Sequence, residues 1–185
     1  MAKKLDQILV IDVESTCWEG KAPGGQESEI IEIGICPLDI TSGERGEKRS
    51  ILVKPERSKV SEFCTQLTTL TQEQVDKGVD LGNACSILRN KFSSKDRVWA
   101  SYGDYDRLQF EKQCQARKVS YPFGSSHINI KLLFTLIHGF SEEIGMAEAL
   151  ELLEIPLEGT HHRGADDAWN IARILSELVL QRRAK

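Results

Sequence analysis

The chain lacks any apolar run near the roughly 20 residues that a membrane helix needs, which excludes a helical span. It has no internal repeat, low-complexity stretch or interdomain linker, so a single domain over residues 1–185 is expected, long enough for a sizeable core. A signal-peptide core is also missing. The apolar stretch of "MAKKLDQILVIDVES" runs into Asp12 and Glu14, and a cytoplasmic setting is the expectation. No C-x-x-C pair occurs. The five cysteines (Cys17, Cys36, Cys64, Cys85 and Cys114) are odd in number and widely spaced, which argues against a disulfide framework or a zinc ribbon. They read as buried small hydrophobes in a reducing compartment. Excess positive charge is absent too, with a formal net charge of −4. Proteins that coat long duplex nucleic acid show a basic surface. Any nucleic-acid contact here must therefore be local and short, with a metal site able to supply the missing positive charge.

What is present is an ordinary globular composition, 40% hydrophobic. "QILVIDV" (7–13) is a short apolar run rich in β-branched residues and predicts a buried strand. "EIIEIGICPLDI" (29–40) predicts a second strand, "TSGERGEK" (41–48) a hairpin turn, and "RSILVKP" (49–55) a returning third strand. The pattern then changes. "TQEQVDKG" (71–78) has capping-box spacing from Thr71 to Gln74 and predicts a short helix. Helices are expected at 81–92, 106–118, 142–154 and 165–183. Strands are expected at 97–102 and 126–131, the latter flowing into "LLFTLIHG". Strands alternating with helices imply parallel crossovers. The predicted class is α/β, an antiparallel meander followed by parallel strands.

Acids stand out against this frame. Asp12 and Glu14 are two apart on the first strand, so they share a face. Carboxylate pairs of this kind suit a divalent cation, although either acid could instead cap a loop or meet an arginine. Asp104 and Asp106 follow the fourth strand, where α/β sites are built. Asp104 suits a helix N-cap. Asp106, four residues before Phe110 and eight before Cys114, continues the inward stripe of its helix.

"HHRGADD" (161–167) holds two overlapping copies of one spacing, His161 to Asp166 and His162 to Asp167. The helix after it has an apolar face of Ile171, Ile174, Leu175, Leu178 and Leu180. At about 100° per residue, Asp167 lies about 40° from Ile171 and Asp166 about 140°. Asp167 is therefore expected to point inward and Asp166 to face solvent or cap the helix. Gly164 is expected to let the chain turn sharply. His162, five residues before Asp167, is then the histidine expected to share its cleft.

Taken together, the order D-x-E, then D, then H-x4-D closely resembles the DEDDh class of DnaQ-like 3'-5' exonucleases. Asp12 and Glu14 match the first motif, Asp106 the second, and His162 with Asp167 the third. The tyrosine subclass would place Tyr where Arg163 stands. "IDVEST", "SEIIEIG", "FCTQLTTLTQEQVD", "GDYD", "INIK" and "HRGADDAWNIARI" resemble the branch containing the histone-mRNA 3' exonuclease and KapD-like proteins. The resemblance covers nearly the whole chain, although relatives with added nucleic-acid-binding domains are longer.

It implies a ribonuclease H-like fold with a mixed five-stranded sheet. It also implies two divalent ions, Mg2+ or Mn2+, held by Asp12, Glu14, Asp106 and Asp167. His162 would be the general base in a two-metal hydrolysis that releases nucleoside 5'-monophosphates from the 3' ends of single-stranded RNA or DNA. Without metal, the crowded acids should be loose or partly protonated. Ser15 and Thr16 would meet the terminal sugar through backbone or hydroxyl groups, and Leu67 would pack the base. Tyr105 matches the family's stacking aromatic, while its residue type is equally compatible with a half-buried core tyrosine. A DNA-preferring exonuclease and a low-turnover binding module on the same fold are the alternatives.

Overall fold

The computed structural model describes residues 4–181, with side chains as far as Val179. Leu180, expected on the apolar face of the last helix, and the end of that helix beyond 181 lie outside what is described. The strands are β1 (Lys4–Ser15), β2 (Ile30–Asp39), β3 (Arg49–Leu52), β4 (Arg97–Ser101) and β5 (His127–Asn129). The helices are α1 (Glu62–Thr68), α2 (Gln72–Asp76), α3 (Leu81–Phe92), α4 (Tyr105–Arg117), α5 (Ile130–His138), α6 (Met146–Leu152) and α7 (Gly164–Gln181). One five-stranded sheet runs in the order β3-β2-β1-β4-β5. β1 pairs antiparallel with β2, and β2 with β3. β1 pairs parallel with β4, and β4 with β5. The α/β class and the mixed meander-plus-parallel sheet expected from the sequence are what the chain forms.

The uninterrupted apolar run of β1 is explained by burial on both faces, as in parallel sheets. Ile8 and Val10 join one core with Phe134, Leu150, Ile171, Ile174 and Leu175, beneath α5, α6 and α7. Leu9, Ile11 and Val13 join the other with Leu81, Leu88, Phe110 and Phe123, beneath α3 and α4.

Local signals set most boundaries. Thr71 and Gln74 make the reciprocal capping box that starts α2. α1, which periodicity does not predict, begins where Ser61 accepts the Cys64 N–H, and it buries only Cys64 and Thr68. β5 is three residues long because the Asn129 side chain accepts the Leu132 N–H at 3.0 Å and turns the strand directly into α5. α6 starts at Met146, later than expected, with Gly145 as its extended cap.

Two glycines bring α7 onto the sheet. A Cβ on Gly34 of β2 would stand 1.8 Å from the Gly164 carbonyl oxygen, so no larger residue fits at this approach. A Cβ on Gly164 would in turn stand 3.0 Å from the Gly34 nitrogen and 3.2 Å from the Asp12 carbonyl oxygen. The sharp turn expected at Gly164 is made instead by His162, with φ of +63°. Gly164 serves closeness rather than an unusual dihedral.

Candidate active site

β1 and β4 are parallel, so their carboxyl ends lie at the same edge of the sheet. β4 stops at Ser101 while β1 runs on to Ser15. The N-termini of α4 and α7 close around this end, the usual position for an α/β site. The result is a cleft of about 360 Å³ lined by Asp12, Glu14, Ser15, Leu67, Tyr105, Asp106, His161, His162 and Asp167, among others.

Asp12 and Glu14 project from one face of β1, and α7 sets Asp167 against them. One oxygen from each of Asp12, Glu14 and Asp167 lies within 4.8 Å of the others. Asp106 lines the same cleft, and its Oδ1 accepts the Val13 N–H at 2.8 Å, a β1 donor beyond the end of β4. No lysine or arginine lines the cleft among the described residues. Burial and then repulsion from Asp106, Glu14 and Asp167 push the Asp12 carboxyl well above its usual range. Burial, then Asp167 and Glu32, push Glu14 up to about 8. Burial raises Asp106 to about 7 against the Val13 N–H, which lowers it. Burial also raises Asp167, opposed by His161. Carboxylate oxygens that converge without a cation of their own fit hard divalent ions.

Asp167 is only 4% exposed. Asp166 faces outward, where it accepts the Thr160 N–H at 2.9 Å and pairs with Lys48. Both histidines touch Asp167, in different ways. The His161 ring bonds it through Nδ1 at 3.0 and 3.2 Å. His162 donates its backbone N–H at 2.9 Å. The two rings stack with centroids 3.9 Å apart. Neither ring nitrogen of His162 has a hydrogen-bond partner among the described residues. Burial, and then the neighbouring His161, lower its pKa. His161, to which the spacing argument assigns no role, is thus the ring that holds Asp167. The signal for it was the doubled histidine itself.

The expected substrate contacts divide. Leu67 and Tyr105 both line the cleft, and at 55% exposed Tyr105 is not a core residue. Ser15 lines it too. Thr16 does not: it is fully buried, its hydroxyl donates to the Glu27 carbonyl at 3.1 Å and accepts the Glu29 N–H at 3.0 Å, and its own N–H bonds Glu29. The expectation for Thr16 is therefore corrected. Past the register irregularity between Glu14 and Ser15, where Ile31 of β2 is the extra residue, Thr16 stays bonded to the chain leading into β2 and its polar atoms are used there. Asp104 stands at the N-cap position but makes no cap hydrogen bond, and its carboxylate bonds Arg107 and Asn129 instead.

Glu32 is a further buried acid that spacing did not single out. It lies directly across from Glu14 on β2. It accepts from Arg163 Nε at 3.1 Å, from the Gly164 N–H at 3.0 Å, and from the Ser50 hydroxyl. Glu32 thereby anchors the start of α7 beside the cleft.

The profile of the Exonuclease family (RNase_T) matches residues 9–175. The chain belongs to this exonuclease family. Rat 3'-5' exoribonuclease 1 is 33% identical over 185 residues, covering 94% of this chain and 53% of that protein. The exonuclease chain described here thus spans about half the length of this curated relative. The crystallographic structure of the nuclease domain of 3'hExo, a DEDDh family member bound to rAMP, superposes with a TM-score of 0.85 at 28% identity, covering 98% of this chain and 95% of that one. A 3'-exonuclease in 3'-end-specific recognition of histone mRNA stem-loop gives a TM-score of 0.84 at 28% identity, covering 97% of this chain and 65% of that one. These similarities agree with the DEDDh resemblance and the ribonuclease H-like fold.

Proposed function

We propose that the chain is a metal-dependent 3'-5' exonuclease that shortens single-stranded RNA or short oligonucleotides and releases nucleoside 5'-monophosphates. The observation that carries this reading is the convergence of Asp12, Glu14 and Asp167 oxygens within 4.8 Å, in a cleft whose 360 Å³ suits one nucleotide rather than a duplex. Divalent ions, Mg2+ or Mn2+, bound by Asp12, Glu14, Asp106 and Asp167 would activate the attacking water and neutralise the departing oxygen.

His162 is suited to take the water's proton: its ring nitrogens are unpartnered and its lowered pKa keeps it neutral. His161 keeps Asp167 oriented through its ring. Leu67 and Tyr105 offer apolar and aromatic surface to the terminal base, which single strands use for stacking. The names of the relatives support RNA as the substrate. A reducing compartment such as the cytoplasm is part of the proposal, supported by five cysteines that form no disulfide.

The test is incubation of 5'-labelled single-stranded RNA and DNA with Mg2+ or Mn2+. A ladder of shortened products that keep the label is expected, with RNA cut faster. Absence of metal-dependent trimming on both strands would overturn the reading, and binding without shortening would favour a regulatory module.

A further inference from the structure

We infer that Gln109 is a positioning residue that sets the direction of the hydrogen bond at Ser15, so that the Ser15 hydroxyl acts as a donor to an oxygen of the terminal nucleotide. The inference rests on the exonuclease reading above. Gln109 lies one turn after Tyr105 on α4 and is buried. Its Nε2 stands 3.0 Å from the Ser28 carbonyl oxygen, 3.0 Å from Ser28 Oγ and 3.2 Å from Ser15 Oγ. A carbonyl can only accept. The face of the amide turned toward these oxygens is therefore the NH2 and not the C=O.

An NH2 has two hydrogens. One serves the Ser28 carbonyl, and the other is forked between the two hydroxyl oxygens. Both hydroxyls thus accept from Gln109 and turn their own hydrogens elsewhere. The Tyr105 hydroxyl lies 3.4 Å from Ser28 Oγ, a contact in which either hydroxyl can donate, so the sense set by Gln109 reaches the cleft through Ser15. For Ser15 the open direction is the cleft, which Ser15 and Tyr105 both line. This matters because the rest of the polar wall is mostly carboxylate, and ionised carboxylates only accept. Phosphate and sugar oxygens of a nucleotide need donors. One buried amide, absent from the cleft wall itself, sets the Ser15 hydroxyl as a donor.

The test compares wild type with Gln109→Met, Ser15→Ala and the double variant. It uses steady-state trimming of a 5'-labelled single-stranded RNA, together with calorimetric binding of adenosine 5'-monophosphate in Mg2+. Gln109→Met should raise KM and the Kd for the monophosphate by about five- to tenfold, with kcat within about twofold and the melting temperature lowered by a few degrees as the Ser28 carbonyl loses its donor. The double variant should lose less than the product of the single losses, because the two residues act through one bond. Unchanged KM and Kd, a fall in kcat alone, or fully multiplicative losses would each overturn the inference. If Gln109→Met does not fold, Gln109→Leu, smaller and likewise without a donor, is read in the same way. Wild type that binds the monophosphate but trims nothing would defeat the exonuclease reading, while the Kd comparison would still decide the role of Gln109. Wild type that does neither would overturn both.

Discussion

Two groups of acids sit near the same end of the molecule, and they behave in opposite ways. Glu27, Glu29 and Glu56 surround Arg117, whose guanidinium reaches Glu27 at 3.5 Å and Glu56 at 3.3 Å and pairs closely with Glu29. Glu29 also accepts the N–H groups of Glu56, Arg57 and Ser58. Burial works to raise its pKa, but these donors and Arg117 together hold it below the usual range. Glu14, Asp106 and Asp167 are buried and Asp12 is half-buried beside them with no such cation, and all four are raised. The difference separates structure from function. Acids whose cation comes from the chain fasten loops, and acids left without one form a place for a cation from solution.

Removing an acid on the unpaired side and the cation on the paired side breaks the comparison most sharply. Asp12→Asn and Asp167→Asn should each lower kcat about 1000-fold or more, while the metal-free protein gains thermal stability because a repelling charge is gone. Product ladders and melting curves check both halves. On the paired side, Arg117→Met should cost about 3 kcal/mol or more of stability in chemical denaturation, since it leaves buried Glu29 without its partner. The trimming rate per folded molecule should be nearly unchanged.

Within the cleft, His162→Ala should reduce kcat about 100-fold as the proposed base is lost, and His161→Ala about tenfold as Asp167 loosens. Equal losses would show that the two rings share one role. The smallest effect is in pH. Glu14 and Asp106 keep protons in the folded state up to about 8 and about 7, whereas the unfolded chain releases them in the ordinary carboxylate range. From there upward the folded state binds more protons, so metal-free stability falls as pH rises. The melting temperature without metal should drop by a few degrees between pH 5 and pH 8, and the rise on adding Mg2+ should grow over the same interval. Glu29 has the opposite sign: its contribution is present above its unfolded pKa and is lost as pH falls through the lowered folded value.

Much of this was legible in the chain. The run of β1, the Thr71–Gln74 box and the 81–92 helix follow from local chemistry, and the structure reproduces them. The phase of α7 distinguishes Asp167 from Asp166 because a helix with one apolar face allows only one inward angle. Other features were not legible. α1 is too short to show a period. Thr16 was misplaced because its hydroxyl and N–H are taken by Glu27 and Glu29, partners that nothing in "ESTC" announces. His161 and His162 share one spacing to their acids, and spacing says nothing of which ring turns where.

The sequence by itself determined the α/β class, the order of the acidic positions and the side of α7 that carries Asp167, because periodicity and caps act over a few residues. Only the tertiary structure decided that the acids meet. That depends on Gly34 and Gly164 coming close enough to leave no room for a Cβ, and on β1 outrunning β4 so that Asp106 finds a free N–H. These are contacts between residues far apart in the chain, and their distances are set by packing of the whole sheet rather than by any local pattern.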